Sequence, residues 1–324
     1  MPAEQQFGTE SEGIALLKSR LGGFETEGGR QKGLDYQPRA NDVAITTTPK
    51  AGTTWLQQIC HQIRSASNGG DMSFSEISEV VPWLELAADQ GQDLEAAQYG
   101  DKADLPRFFK THAWADHCPN FPKTIVVLRN PDDVLLSFYN FFEDWFFEKG
   151  SISLDSFAEE FWLSRGVPET KMQNASYFIH LLSWYRRKDD PSVLILFFED
   201  LLDDLEGQIT RVARFVSNKK HNFDTPETIR QVVESSTYAF MKKNESHFDE
   251  KLSKLARNEA CGLPKDAGMK KSKIVNGKKG EGKLQLSQRL RDAIQAKWKE
   301  VVQQETGCEN YEALRQEFKA RNSK

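Results

Sequence analysis

The chain has 324 residues, of which 38% are hydrophobic and 28% are charged, with a formal net charge of −5. This composition is typical of a soluble globular protein with one large domain or two ordinary ones. Because binding to a nucleic acid backbone usually requires a basic excess, the acidic balance argues against nucleic acid as a partner.

The polar, acidic beginning lacks the pattern of a signal peptide, and the apolar runs are far shorter than the ~18 residues that span a bilayer. We therefore expect a cytoplasmic protein with no membrane partner. The four cysteines show no CxxC spacing, which predicts free thiols in a reducing compartment and argues against a zinc or redox motif.

In chain order, residues 1–35 are rich in Gly and Glu and predict a flexible arm with one short helix, followed by one domain over 36–324. Apolar runs predict buried strands at 43–48, 107–111, 124–129 and 193–198. Amphipathic stretches predict helices after Thr53, after Pro131, over 174–188, after Asp200, and from 286 to about 306. This alternation predicts a single α/β domain whose central parallel sheet is flanked by helices. The lysine- and glycine-rich stretch 265–283 predicts a flexible surface loop.

The first strand–loop–helix junction, TTTPKAGTTW at residues 46–55, has the pattern of an anion site. Such a loop directs backbone N–H groups and the positive end of a helix dipole at one point. Lys50 adds a full charge, Thr53 and Thr54 add hydroxyl groups, and Gly52 permits a close backbone approach. The Walker A order, in which Lys follows Gly, is absent. The pattern therefore predicts a P-loop-like phosphate site of another kind.

Two further strand ends carry polar side chains. Arg129 ends the third predicted strand and precedes a strong helix start, and its planar fork suits a phosphate group. Lys110 and His112 end the second strand, in RFFKTHAW. Imidazole titrates near neutral pH, so His112 suits the role of a general base.

These motifs together resemble those of cytosolic-type sulfotransferases over about residues 42–307. TTTPKAGTTW resembles the family's phosphosulfate loop TYPKSGTTW, with Thr48 and Ala51 as departures. RNPDDVLLSFYNF, which begins at Arg129 and includes Ser137, resembles the family's 3'-phosphate motif RNxxDxxxSxxxF. KTHAW resembles KTHLP, although Ala113 and Trp114 replace the Leu-Pro pair.

The resemblance implies a sulfotransferase domain that moves a sulfuryl group from 3'-phosphoadenosine-5'-phosphosulfate (PAPS) to a small acceptor, with 3'-phosphoadenosine-5'-phosphate (PAP) as product. It implies His112 as the base that removes the acceptor proton. Lys50 and Lys110 would offset the charge on the leaving phosphate. No metal is implied. The full set of expected donor-binding residues is Lys50, Ala51, Gly52, Thr53, Thr54, Trp55, Arg129, Ser137, Ser236, Tyr238, Asn276, Gly277 and Lys278.

The adenosine pocket and the closing loop match the family less closely. Trp55 and Tyr238 are expected to stack on the adenine, and Phe198 occupies the position of a family Tyr. The segment IVNGKKGEG at 274–282 stands where the family has RKGxxGDW, so Gly282 replaces its Trp. Lys273, Lys278 or Lys279 is expected to supply the charge that the missing Arg and Lys would give.

Two other function classes fit the motifs less well. A P-loop-like nucleotide kinase would need a Walker A order and a Walker B acid, whereas the third strand ends in Arg129. An inactive protein that binds partners through a nucleotide fold would have no reason to retain Lys50, Lys110 and His112. The aromatic stretch 138–148 predicts a hydrophobic acceptor pocket, although the interleaved acids leave a cationic acceptor open. The sequence does not separate hydroxyl from amine acceptors, and it leaves the oligomeric state uncertain.

Overall fold

Four parallel strands form the central sheet of the protein in a computed structural model, which describes residues 10–96, 104–268, 272–274 and 279–322. The strands are β1 (Asp42–Thr47), β2 (Arg107–Thr111), β3 (Lys123–Leu128) and β4 (Val193–Phe197), in the spatial order β2-β1-β3-β4. Each predicted strand lies within one residue of an observed one. The predicted α/β fold with a central parallel sheet is therefore confirmed.

Helices cover both faces of this sheet. In chain order they are α1 (Glu10–Gly22), α2 (Glu27–Leu34), α3 (Thr53–Ser65), α4 (Leu84–Ala87), α5 (Pro131–Trp145), α6 (Leu154–Phe157), α7 (Tyr177–Tyr185), α8 (Phe198–Asp203), α9 (Leu205–Val216), α10 (Pro226–Glu234), α11 (Tyr238–Lys243), α12 (Lys251–Arg257), α13 (Glu281–Gln285), α14 (Gln288–Trp298), α15 (Gln304–Thr306) and α16 (Tyr311–Asn322). A π-helical turn, Lys299–Gln303, joins α14 to α15.

The two faces of the sheet bury separate apolar cores. Along β3, Ile125 and Val127 point to one side, and Val126 and Leu128 point to the other, as the two-residue period of a strand requires. The first core contains the apolar sides of α3, α9 and α10. The second is more aromatic and contains those of α5, α7, α14 and α16.

The segment before β1 is more structured than its composition predicts. Its described part contains two helices, α1 and α2, where the sequence predicted one. Ile14 and Leu17 of α1 are buried in the aromatic core, and Arg30 of α2 is also buried. Few apolar residues mark this segment, and the core that receives them is built by α5 and later elements. The boundary at residue 35 stays a prediction.

The sheet brings the functional loops to one edge. Because all four strands are parallel, their carboxyl ends meet there, with Thr46 of β1 opposite both Thr111 and Val126. β1 has β2 on one side and β3 on the other, so the strand order reverses direction at β1. Such a switch point is where α/β sheets bind ligands. The loops that begin after β1, β2 and β3 therefore start side by side.

The stretch 265–283, predicted as a flexible surface loop, instead contains the start of α13. The backbone N–H groups of Gly280 and Gly282 donate to the two carboxylate oxygens of Asp133 at 2.8 and 2.7 Å. A Cβ on Gly282 would lie 2.3 Å from the carbonyl carbon of Asp132, so this position has no room for the family's Trp. Across the described ranges, no helix is long and apolar enough to cross a membrane.

Candidate active site

The loop between β1 and α3 has a constrained backbone. Lys50 adopts φ 72°, a left-handed conformation that is uncommon for a residue other than glycine. Gly52 has φ 106°, and a Cβ there would lie 2.7 Å from the ring of Phe198. Left-handed residues at a loop of this kind aim successive backbone N–H groups at one point. The loop therefore has a backbone conformation that suits the predicted anion site.

The Lys50 ammonium group is held in a mostly apolar, positively charged setting. Its Nζ lies 4.0 Å from the centre of the Phe141 ring. Burial, together with the charges of Lys273, Arg129 and Lys110, lowers the pKa of Lys50 to about 7, against the opposite effect of Glu250. Since the neighbouring cations outnumber the carboxylate, the site favours a bound anion.

Arg129 follows β3 and reaches the same loop. Its guanidinium Nη1 donates to the Lys50 carbonyl at 2.9 Å, and its centre lies 4.3 Å from that of the Phe198 ring. Burial lowers the pKa of Arg129. Its buried Nε has no hydrogen-bond partner in the described residues. A buried guanidinium without a carboxylate partner is costly, and an anionic ligand would remove that cost.

A small cavity of about 150 Å³ lies beside this loop. It is lined by the predicted residues Lys50, Gly52, Thr53, Thr54, Trp55, Arg129, Ser137 and Tyr238. Lys273 also lines it, which makes three cationic side chains, and no carboxylate lines it among the described residues. The structure thus brings most of the predicted donor-binding residues together around a cationic pocket.

A second, larger cavity of about 900 Å³ meets the first at the same loop. Lys50, Thr53, Thr54 and Lys273 line both cavities. The larger cavity is walled by aromatic rings, chiefly Trp83, Phe138, Phe141, Phe142, Trp145 and Phe161. Glu143 and Glu148, two of the acids that left a cationic acceptor open, are not among the residues that line it.

His112 lines the larger cavity and is almost completely buried. Its Nδ1 lies 2.8 Å from the Thr47 carbonyl oxygen, which can only accept, so Nδ1 carries the proton and Nε2 has the free lone pair. Its backbone N–H donates to Glu85 at 2.8 Å. Burial, and then the charge of Lys110, hold the pKa of His112 well below 6.5, so the ring is neutral at pH 7.

Lys110 lies next to His112 in the wall of the same cavity. Its Nζ is 3.6 Å from the centre of the Trp83 ring and 3.7 Å from a carboxylate oxygen of Glu250. Glu250 also pairs with Lys273, and these two cations hold its pKa low despite burial. Glu250 was missed by the sequence reasoning, since no motif surrounds it and it lies 140 positions from Lys110.

The residues predicted to hold the adenine lie near this loop but differ in their contacts. They are Trp55, Ser236 and Tyr238. The Trp55 indole donates to the Ser236 carbonyl oxygen at 2.7 Å, which fixes the indole ring. Ser236 does not line either cavity, although its buried hydroxyl has no partner among the described residues. Phe198 has no hydroxyl group to donate, and the face of its ring packs against the Arg129 guanidinium.

Four predicted residues remain, of which the structure describes one. Ala51 belongs to the loop, but its methyl group is buried in the aromatic core. Asn276, Gly277 and Lys278 lie outside the described residues. Lys279 pairs with Asp203 at the surface, so Lys273 is the only lysine of 265–283 that lines a cavity within the described residues.

The segment before β1 also contributes to the site, which the sequence did not predict. Lys18, Leu21, Phe24 and Glu25 line the larger cavity. The Phe24 ring lies 5.2 Å from that of Trp145 and 5.7 Å from that of Trp83. No local signal marks these residues, because their position depends on the packing of α1 against α5 and α6.

The fold and the site define an α/β protein in which two cavities meet at a cationic loop. The model of the sulfotransferase domain family matches residues 40–306. The chain therefore belongs to this family and is a sulfotransferase.

Individual relatives agree with this assignment. Human sulfotransferase 1E1 is 27% identical over 65% of this chain and 69% of its own length. Sulfotransferase 6B1 of Danio rerio is 30% identical over 65% of this chain and 67% of its own length. The crystal structure of retinol dehydratase in complex with androsterone and the inactive cofactor PAP has a TM-score of 0.62 and 20% identity, covering 91% of this chain and 94% of that one, which shows a shared fold.

Proposed function

We propose that this sulfotransferase uses PAPS as its donor and transfers the sulfuryl group to a hydroxyl or amine of a small molecule, with His112 as the general base. One observation carries the proposal. A pocket with three cations and no described carboxylate opens, at Lys50, into an aromatic cavity that contains a neutral histidine. That arrangement suits an anionic donor on one side and an uncharged reacting group on the other.

The residues of the small cavity fit a nucleotide with a phosphate at each end. Arg129 and Ser137 are suited to the 3'-phosphate, and the unpartnered Arg129 Nε is a donor that this group would satisfy. Lys50 with the start of α3 is suited to the 5' end. Trp55 and Tyr238 provide ring faces for the adenine. The PAP in the complex of retinol dehydratase supports this choice of donor.

The donor supplies a sulfuryl group, whose S–O bond to the 5'-phosphate breaks as a new bond forms to the acceptor oxygen or nitrogen. His112 Nε2 accepts the proton that the acceptor loses. The bond from Nδ1 to Thr47 keeps the ring in the tautomer that can do so. Lys50 and Lys110 place positive charge beside the leaving phosphate oxygen, in a largely dry site where that charge acts strongly.

Glu250 is proposed as a positioning residue. It pairs with both Lys110 and Lys273, and its charge raises the pKa of Lys110 against the larger effect of burial, which lowers it. Lys273 is the candidate that supplies charge from the segment before α13, in place of the family's Arg and Lys. The roles of Asn276, Gly277 and Lys278, the cytoplasmic location and the independence from metal stay predictions.

Calorimetric titration with PAP, AMP and Mg·ATP tests the donor assignment. We expect PAP to bind in the presence of EDTA, and to bind more tightly than either other nucleotide, because only PAP carries the 3'-phosphate. Transfer of ³⁵S from labelled PAPS to a panel of phenols, alcohols and amines then tests the reaction. A preference for Mg·ATP would contradict the proposal.

A further inference from the structure

The wall of the larger cavity formed by residues 164–174 has donor groups that the transfer chemistry does not use. Arg165 lines the cavity there, and its guanidinium centre lies 5.4 Å from that of the Phe161 ring. In the described part of the chain, Arg165 has no salt bridge and no hydrogen bond from its side chain. It is therefore a half-buried cation whose only described contact is an aromatic face.

The nearby acids do not neutralise Arg165. Glu25 lines the same cavity, but its two carboxylate oxygens accept from Arg30 Nη1 at 2.8 and 3.0 Å. Glu169 is exposed at the rim, and no salt bridge joins it to Arg165 in the described residues. Burial, together with the charge of Arg30, lowers the pKa of Arg165 to about 10, against the opposite effect of Glu25. The environment thus favours an additional negative charge.

A second donor lies in the same wall. Asn174 lines the cavity, and its Oδ1 accepts from Arg30 Nη2 at 2.8 Å. Because the oxygen is used, the NH₂ half of this amide is the part available to a ligand. Arg30 is itself buried and also donates to the Lys171 carbonyl, so its hydrogen bonds fix the position of this wall.

The cavity therefore has three parts with different chemistry. His112 and Lys110 line it together with Lys50, which also lines the donor pocket, aromatic rings form much of its wall, and Arg165 with Asn174 lies in the wall formed by residues 164–174. We propose that the acceptor is an aromatic or other hydrophobic hydroxyl compound with a carboxylate or similar anionic group remote from that hydroxyl, and that Arg165 binds this group. The inference rests on the proposed function, since it takes the hydroxyl near His112 as the reacting group.

The test compares matched acceptors. A series of 4-hydroxyphenylalkanoic acids of increasing chain length is assayed with PAPS beside the corresponding methyl esters, which have nearly the same shape without the charge. We expect the acid of optimal length to exceed its ester in kcat/KM by roughly tenfold to a hundredfold, the range for a charge-assisted contact. Arg165→Gln should remove this preference, and Arg165→Lys should retain part of it.

Arg289→Gln is the matched control, because it removes an exposed arginine whose partners are Asp155 and Glu159. It should leave the ratio of acid to ester unchanged. Binding of each acid and ester to the enzyme–PAP complex is measured by calorimetry, so that the preference is tested even without turnover. Esters that equal or exceed the acids in both assays, or a preference that survives Arg165→Gln, would overturn the inference while leaving sulfuryl transfer to the esters intact. Failure of PAP itself to bind would instead overturn the proposed function.

Discussion

Replacing Arg129 with alanine separates a ligand-binding role from a structural one. In the protein, the guanidinium makes one hydrogen bond to the Lys50 carbonyl and one contact with the Phe198 ring. Losing them costs about 1–3 kcal/mol for the hydrogen bond and about 1 kcal/mol for the ring contact. Removing a buried cation without a carboxylate partner offsets part of that loss. We therefore expect the free energy of unfolding to fall by about 2 kcal/mol at most.

Binding of PAP should suffer much more. A phosphate held by a buried guanidinium loses about 2–5 kcal/mol when the guanidinium is removed, which is roughly 30-fold to several-thousand-fold in affinity. AMP lacks the 3'-phosphate, so its affinity should stay within a few-fold of the original value. Arg129→Lys keeps the charge without the planar fork and should give an intermediate loss for PAP.

Calorimetric titration of both nucleotides, with urea denaturation of each variant, measures these quantities directly. The reasoning is refuted if PAP and AMP weaken by the same factor, because Arg129 would then act on the loop and not on the 3'-phosphate. It is also refuted if the loss of stability matches the loss of PAP binding.

Three further predictions concern other parts of the site. His112→Ala should reduce kcat by about 10²–10⁴ while PAP binding is retained, whereas His117→Gln, outside the cavities, should change neither. Since the pKa of His112 is lowered, kcat/KM for the acceptor at saturating PAPS should also stay flat as the pH falls through 6.5. The pKa of Lys50 is about 7 in the free protein, and a bound anion raises it, so PAP binding at pH 8 should take up protons and should weaken as the pH rises. Calorimetric titrations in buffers of different ionisation enthalpy detect this proton uptake, and Lys50→Met should abolish it. Asp133→Asn weakens the two hydrogen bonds from backbone N–H groups at the start of α13, so the free energy of unfolding measured in urea should fall by about 2 kcal/mol. An unchanged midpoint of urea denaturation would show that these two bonds are dispensable.

The strands and the anion loop were predictable because their signals are local. A buried parallel strand is a short continuous apolar run, and each of the four runs became a strand of the sheet. Asn130 and Pro131 predicted the start of α5, and the Asn130 side chain accepts from the Asp132 N–H as a cap should. The pattern of the anion loop is likewise local, because Lys50, Gly52 and Thr53 are near neighbours in the sequence.

The organisation around the loop was not visible in the sequence, because it depends on residues that meet only after folding. Glu250 joins Lys110 to Lys273 across the fold, and its surroundings in the sequence are an ordinary charged stretch. Leu17 is buried in the aromatic core although the segment around it has the composition of an arm. Gly282 is required by a close backbone approach to Asp132, which only the packing of α13 on α5 creates.

The sequence by itself determined the class of chemistry, since the types and spacing of Lys50, Lys110, His112 and Arg129 are set along the chain. The tertiary structure decided their chemical state. Burial makes His112 neutral and lowers the pKa of Lys50, and the Thr47 carbonyl selects the tautomer of the histidine. It also decided that residues before β1 and after α6 line the larger cavity. Charge state and cavity shape depend on long-range packing and desolvation, which no local pattern encodes.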